Sequence, residues 1–79
     1  MKMAALKKLL EEGLPDATIL LEGDNGYVNA VIISPSFIGQ SKVKQQQKVY
    51  EVLNKVILDG TLHAFSMKTY TPEEWEQLQ

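Results

Sequence analysis

The fold is decided by residues 37–64, which have the sequence FIGQSKVKQQQKVYEVLNKVILDGTLHA. Ser41 comes shortly after Gly39 and is a favourable N-cap residue, while Asp59-Gly60 is a favourable helix stop. Apolar residues between these signals recur at intervals of three, four and seven, which predicts one long helix over residues 41–58. Its core-facing side is predicted to carry Val43, Val49, Tyr50, Leu53, Val56 and Ile57.

The chain before this helix predicts one further helix and a hairpin. Residues 2–12 have amphipathic spacing that ends at Gly13. Two apolar runs follow, at 17–21 and 27–33, and the turn residues 23–26 between them are typical of an antiparallel hairpin. Phe37 and Ile38 come next, and their apolar side chains are expected to cover the edge of the core.

The chain after the long helix predicts a third strand, over residues 62–70, and a last helix over 72–78. Thr71-Pro72 with Glu74 three residues after Thr71 forms a capping box for that helix. A right-handed crossover through the long helix would make the second and third strands parallel. Core positions are predicted at Leu6, Leu9, Leu10, Ile19, Leu21, Val31, Val43, Leu53, Val56, Phe65 and Trp75.

The fold class that follows is α+β, in the order α-β-β-α-β-α, with a three-stranded mixed sheet. A chain of 79 residues with 44% hydrophobic residues predicts a single domain over residues 1–79. The sequence has no cysteine, so the domain must rely on packing and fits a reducing compartment. No apolar run approaches the roughly 20 residues that span a bilayer. We expect a cytoplasmic, monomeric protein without a membrane segment.

The sequence lacks the residue patterns of common enzyme sites. It has a single histidine, His63, and no cysteine, so neither a catalytic triad nor a protein-only zinc site is supported. The adjacent carboxylates Glu11-Glu12 and Glu73-Glu74 splay apart on helices and are interpreted as solvated faces. We therefore expect a protein that is not an enzyme.

The long helix is basic although the formal net charge of the chain is −2. Lys42, Lys44, Lys48 and Lys55 outnumber the single acid Glu51 there. Two interpretations stay open. The lysines could only solvate the outer face of the helix, or they could form a positive patch that meets an acidic partner or a phosphate backbone. All basic residues are lysine, which weakens the case for sequence-specific DNA recognition because arginine forks are absent.

Four separated motifs follow one another along the chain: Phe37-x-Gly39-x-Ser41-x-Val43, Val49-Tyr50, Leu62-His63-Ala64 and Thr71-Pro72-x-Glu74-Trp75. A fifth segment, Val43-Lys44-x-Gln46-Gln47, overlaps the first of them. With these motifs the chain resembles the BolA-like family, and the fifth segment is similar to its IbaG/YrbA branch. The resemblance covers roughly the whole chain and implies a fold related to the class II KH architecture.

The resemblance implies a metal-linked role for His63. The matching histidine of BolA-like proteins is associated with a 2Fe-2S cluster that is shared with a monothiol glutaredoxin and its bound glutathione. A neutral imidazole can replace a thiolate on one iron of such a cluster. Without the resemblance, a single histidine at the start of a strand is more often a hydrogen-bonded structural residue than a ligand. Many members place a second cysteine or histidine in the first hairpin, where this chain has Asp24 and Tyr27, so these two are candidate but unusual ligands.

The resemblance also implies a second function. Some members are described as DNA-binding regulators, and here the candidate DNA- or RNA-binding residues are those of the turn and the first half of the long helix. The GxxG loop of KH domains is incomplete, since only its first glycine is present. The candidate residues for partner or nucleic-acid binding are Gly39, Ser41, Lys42, Lys44 and Lys48.

Overall fold

The structure is a computed structural model that describes residues 3–24, 27–58 and 64–79. It is a small α+β domain with the predicted order of helices and strands. The predicted start of the third strand, including Leu62 and His63, and the predicted helix stop at Gly60 lie outside the described residues. The elements are α1 (Met3–Gly13), β1 (Thr18–Asp24), β2 (Tyr27–Ile33), a short 3-10 turn (Pro35–Phe37), α2 (Lys42–Leu58), β3 (Ala64–Tyr70) and α3 (Pro72–Gln77).

The strands form a three-stranded mixed sheet in the order β1-β2-β3. β1 and β2 pair antiparallel, from Thr18 opposite Ile33 to Asp24 opposite Tyr27. β2 and β3 pair parallel, from Tyr27 opposite Ala64 onward, so the prediction of a parallel crossover through α2 is confirmed. The central strand β2 therefore has a neighbour on each side, and β1 and β3 are the sheet edges.

Helices α2 and α3 begin at the predicted capping residues, Ser41 and Thr71. The Ser41 hydroxyl accepts a hydrogen bond of 3.2 Å from the Lys44 amide at the start of α2. At α3, the Thr71 hydroxyl accepts from the Glu74 amide at 3.2 Å, and the Glu74 carboxylate accepts from the Thr71 amide at 2.9 Å. The predicted capping box is thus confirmed. In the described part of the chain, no helix has both the length and the apolar character needed to cross a membrane.

The core lies between one face of the sheet and the two longer helices, α1 and α2. Alternate residues of β2, namely Val28, Ala30 and Ile32, are buried on this face, whereas Tyr27 and Asn29 are exposed on the other. The domain is therefore asymmetric: the core face is covered along β2, whereas the other face is open at Tyr27 and Asn29 and becomes buried toward Ile33. The buried apolar residues are Leu6, Leu10, Leu14, Ile19, Val28, Ala30, Ile32, Ile33, Phe37, Val49 and Leu53.

The predicted core is confirmed in its centre, and the predicted core-facing side of α2 is wrong at Val43 and Tyr50. Val43 is 63% exposed, and Tyr50 is 47% exposed. At 100° per residue, Val49 lies about 120° around the helix from Val43, whereas Tyr50 lies within about 20° of Val43. The apolar residues of α2 therefore cover a broad arc, with an inner stripe that is buried at Val49 and Leu53 and an outer stripe that is exposed at Val43 and Tyr50.

The other residues that were predicted in the core differ in how deeply they are buried. Leu6, Leu10, Ile19 and Leu53 are buried as predicted. Phe37 covers the core edge as expected, but the same expectation is wrong for Ile38, which follows the short 3-10 helix and is 66% exposed. The remaining predicted positions are only half-buried: Leu9, Leu21, Val31, Val56, Phe65 and Trp75.

A buried glutamine fixes the turn that leads into α2. The Gln45 amide nitrogen donates to the carbonyl oxygens of Phe37, at 3.2 Å, and Gln40, at 3.0 Å. Its amide oxygen accepts from the Thr69 hydroxyl at 2.9 Å. Gln45 thus joins the turn, α2 and β3 in the interior, where an unpaired amide would be costly.

Candidate functional site

The candidate ligand residues of the hairpin lie at one end of the sheet. Asp24 is paired with Tyr27 across β1 and β2, and Tyr27 is paired with Ala64 across β2 and β3. His63 lies outside the described residues, but it directly precedes Ala64 in the chain. The sheet thus brings Tyr27 beside Asp24 on one side and beside the residue that follows His63 on the other.

Tyr27 is accessible at this end of the sheet. The side chain is 51% exposed, and its hydroxyl donates a long hydrogen bond of 3.4 Å to the Asn29 amide oxygen. The same oxygen accepts a hydrogen bond from the Ser66 hydroxyl of β3. Asn29 therefore links Tyr27 to β3. Sequence analysis did not single out Asn29, although strand alternation puts it on the same face as Tyr27.

Gly23 allows the hairpin to close tightly against Tyr27. Its φ of 136° is rarely adopted by residues with a side chain. A Cβ atom at this position would collide with the Tyr27 carbonyl oxygen. The position of Tyr27 at the end of the sheet consequently depends on a glycine at residue 23.

The structure does not bring the three candidate lysines onto one surface. Lys44 and Lys48 are four residues apart and share a flank of α2, with Lys44 exposed and Lys48 half-buried. Lys42 is two residues before Lys44, which is about 200° of helical rotation, and it faces β3 and α3. Lys44 and Lys48 alone therefore form a pair on one side of the helix.

Lys42 is engaged in contacts within the domain. Its ammonium group donates to the Thr69 carbonyl oxygen and to the Glu74 carboxylate, the latter at 3.3 Å, and lies 4.7 Å from the centre of the Tyr70 ring. The backbone hydrogen bond from Thr71 and then the Lys42 ammonium hold the pKa of the Glu74 carboxyl below its ordinary value. Lys42 thus ties α2 to β3 and α3.

Gly39 and Ser41 shape the turn before α2. Gly39 has a φ of 81°, and a Cβ atom there would meet no neighbour within 4 Å. The requirement for glycine is therefore one of backbone conformation rather than of space. Ser41 is exposed and its hydroxyl is used as the helix cap.

The available donors fit a metal cluster only if other ligands come from another molecule. Among the described residues, no group of three or more His, Cys, Asp and Glu side chains could hold a metal ion. The sequence offers one imidazole, His63, and no thiolate. Iron–sulfur clusters need several thiolate or imidazole ligands. This donor set fits a cluster shared with a thiolate-bearing partner and does not fit one held by this chain alone.

Comparison with known proteins agrees with the fold and motifs. The model of the BolA-like protein family matches residues 5–74. The chain is 36% identical over 70 residues to the acid stress protein IbaG of Escherichia coli, an alignment that covers 89% of this chain and 83% of IbaG. It is 35% identical over 54 residues to the DNA-binding transcriptional regulator BolA of Haemophilus influenzae, covering 68% of this chain and 52% of the regulator.

Solved structures show the same architecture. The structure of a BolA homologue from Coxiella burnetii superimposes with a TM-score of 0.84 at 34% sequence identity, and the match covers 96% of this chain and 97% of the homologue. The three-stranded mixed sheet and the helix order are thus shared with a relative of known structure. Both the family match and the common fold lead to one conclusion: this chain belongs to the BolA-like family.

Proposed function

We propose that this protein is a cytoplasmic adaptor that binds a monothiol glutaredoxin and takes part in the assembly or transfer of 2Fe-2S clusters, or in iron-linked regulation. The observation that carries the proposal is the strand register, in which Tyr27 is paired with both Asp24 and Ala64. In this register, Asp24 and Tyr27 lie at one end of the sheet. His63 directly precedes Ala64, which pairs with Tyr27 at the same end. Membership of the BolA-like family supports the choice of partner.

In this proposal the cluster is a cargo, and this chain contributes only part of its ligand set. His63 donates an imidazole nitrogen to one iron, while thiolates of the glutaredoxin cysteine and of glutathione hold the other iron. The second position on the iron that binds His63 is filled by Tyr27, by Asp24 or by a ligand from another molecule. Two roles are open to Tyr27: it is either a phenolate ligand of the cluster or a packing residue at the end of the strand. Its exposed hydroxyl is compatible with either role, since the bond to Asn29 is long at 3.4 Å.

Complex formation with a glutaredoxin tests the adaptor role. The measurement is isothermal titration calorimetry of this protein with a cluster-loaded monothiol glutaredoxin in the presence of glutathione. We expect a Kd of about 10 μM or tighter, the range of a specific transient complex. A dithiol glutaredoxin serves as the matched control and should bind more weakly. Absence of heat with the loaded monothiol protein at about 100 μM would rule the proposal out.

The alternative function is direct DNA or RNA binding. It is favoured by the pairing of Lys44 and Lys48 on one flank of α2 and by the name of the Haemophilus influenzae relative. Fluorescence polarisation with a labelled duplex should then show weaker binding for Lys44→Ala and Lys48→Ala, each lowering the salt slope by about 1. Lys8→Ala, an exposed lysine of α1, is the control. Parent binding no tighter than the about 10⁻⁴–10⁻⁶ M of non-specific contact at physiological salt would eliminate this alternative.

A further inference from the structure

The outer side of α2 carries a second apolar stripe that the domain does not use for its own core. Val43, Tyr50 and Leu58 are 63%, 47% and 77% exposed. Their spacing of seven and eight residues keeps them on one side of the helix, with the exposed Gln47 and Asn54 between them. We call these five residues the outer stripe. At 1.5 Å per residue it is about 22 Å long.

The outer stripe is distinct from the core-facing side of the helix. Val49 and Leu53 are fully buried against the sheet and α1, so the fold of the domain is already secured by the inner side of α2. Single exposed apolar residues are common on protein surfaces, but apolar residues repeated at intervals of seven and eight along one helix can all contact the apolar side of one partner helix. Tyrosine is moreover enriched among the residues that dominate binding energy, and Tyr50 lies at the centre of the row.

The charged residues beside the outer stripe indicate the sign of charge that a partner would carry. Lys44 and Lys48 lie on one flank, about 100° and 140° around the helix from Val43. Glu51 lies on the same flank, about 80° from Val43, and offsets one of these charges, so that these three residues carry a net charge of +1. A helix that docks on an apolar row through its own apolar side would therefore gain from acidic residues facing Lys44 and Lys48.

We propose that the outer stripe binds an amphipathic helix of a partner protein, with carboxylates along the side that faces Lys44 and Lys48. A nucleic acid fits less well, because phosphates pair with cations and gain nothing from Val43 or Leu58. A second copy packed antiparallel about a two-fold axis fits less well too, because Lys44 and Lys48 of both copies would then lie on the same side of the contact. The inference goes beyond the glutaredoxin proposal and requires neither that partner nor a cluster.

The probe is a synthetic amphipathic peptide of about 18 residues, long enough as a helix to cover the stripe. It carries leucines on one side and glutamates on the flanks, and its twin carries lysines in place of the glutamates. Binding is followed by amide chemical shifts of the labelled protein at low salt. We expect the acidic peptide to shift amides along the outer stripe and the lysine twin to leave them unchanged.

Variants separate apolar from charge contacts. Tyr50→Ser should weaken the acidic peptide about tenfold, as loss of a central tyrosine does at other interfaces. Leu20→Ser is the matched control, because Leu20 is 45% exposed on the open face of the sheet, away from α2. Lys44→Ala should weaken binding about twofold to threefold at low salt and have little effect at high salt, because salt screens exposed charges. Lys68→Ala, an exposed lysine of β3, is its control.

The proposal is overturned by any of several outcomes of the same titrations. Equal shifts with the lysine twin would show that charge does not select the partner. No shifts in α2 at millimolar peptide would show that the stripe does not bind helices. Shifts in the stripe that depend only on protein concentration would assign it to a second copy, and displacement of the peptide by a short DNA duplex would assign it to nucleic acid.

Discussion

The buried side chains of Gln45 and Thr69 are joined by a hydrogen bond of 2.9 Å from the Thr69 hydroxyl to the Gln45 amide oxygen. These residues are 24 positions apart in the chain, one on the inner side of α2 and the other on β3. Both are almost fully buried, at 3% and 2% exposure. The bond satisfies a polar group of the interior and fixes the helix against the strand.

Thr69→Val tests this contact. Valine has nearly the shape of threonine but no hydroxyl, so the Gln45 amide oxygen would stay buried without its donor. The free energy of unfolding should fall by about 1–3 kcal/mol. Thr18→Val, at an exposed position of β1, is the control and should change stability by less than about 0.5 kcal/mol. Equal urea midpoints for the two variants would show that the contact does not stabilise the fold.

Leu53→Ala tests the assignment of the inner side of α2. Leu53 is fully buried, so its truncation should reduce the free energy of unfolding by about 2–5 kcal/mol. Leu58→Ala is the control in the same helix, because Leu58 is 77% exposed and the change in helix propensity is the same. Chemical and thermal denaturation of both variants give the comparison. If the melting temperature of Leu53→Ala lies within a degree or two of that of the parent, the assignment of this side of α2 to the core is wrong.

Gly23→Ala tests the tight closure of the hairpin. Alanine would be strained at the φ of 136° and would also collide with the Tyr27 carbonyl oxygen. Gly23→Ala should therefore lower the free energy of unfolding by more than Gly39→Ala does. At Gly39, with a φ of 81° and open space around it, only the conformational penalty of about 1–2 kcal/mol applies. Thermal unfolding of the pair measures the difference. A smaller effect at Gly23 than at Gly39 would contradict the described hairpin geometry.

Glu74→Gln tests the charge contacts at the start of α3. The pKa of the Glu74 carboxyl is lowered in the folded state by the Thr71 amide and the Lys42 ammonium, so the ionised form stabilises the fold. This contribution is complete at neutral pH and is lost as the pH falls through the lowered folded-state pKa, below the roughly pH 4.3 of an unfolded glutamate.

The difference in unfolding free energy between parent and Glu74→Gln should therefore be present at pH 7 and shrink in strong acid. Glu73→Gln removes a carboxylate from the same turn but leaves both bonds of Glu74 in place, so it is the control. Urea denaturation over a pH series provides the measurement. A difference that stays constant into strong acid would exclude an electrostatic origin.

Local signals in the sequence were sufficient to predict the frame of the domain. The Thr71 and Glu74 capping box and the parallel pairing of β2 with β3 are confirmed, because caps and crossover handedness depend on short segments or general topology. The face of α2 was harder to predict. Val43 and Tyr50 fit a seven-residue repeat as well as the buried residues do, and periodicity cannot tell which of two apolar stripes faces the sheet.

The polar interior and the candidate site were only partly accessible from sequence. Gln45 belongs to a short glutamine run, and nothing local shows that its partners are the Phe37 and Gln40 carbonyls and Thr69. Likewise, four lysines in one helix do not reveal that Lys42 is engaged by β3 and α3. Tertiary contacts decide both cases.

The proposed function depends most on His63, which is proposed to donate an imidazole nitrogen to iron in a cluster shared with glutaredoxin. The most direct measurement is a titration of a cluster-loaded monothiol glutaredoxin with this protein, followed by visible absorption and circular dichroism. Replacement of a ligand changes the charge-transfer bands of the cluster, so the parent should change the spectra, and His63→Ala should not. Tyr27→Phe tests whether Tyr27 is the second ligand. If this variant also fails to change the spectra, Tyr27 is a ligand of the cluster. Unchanged spectra with the parent, in a complex that nevertheless forms, would contradict the claim.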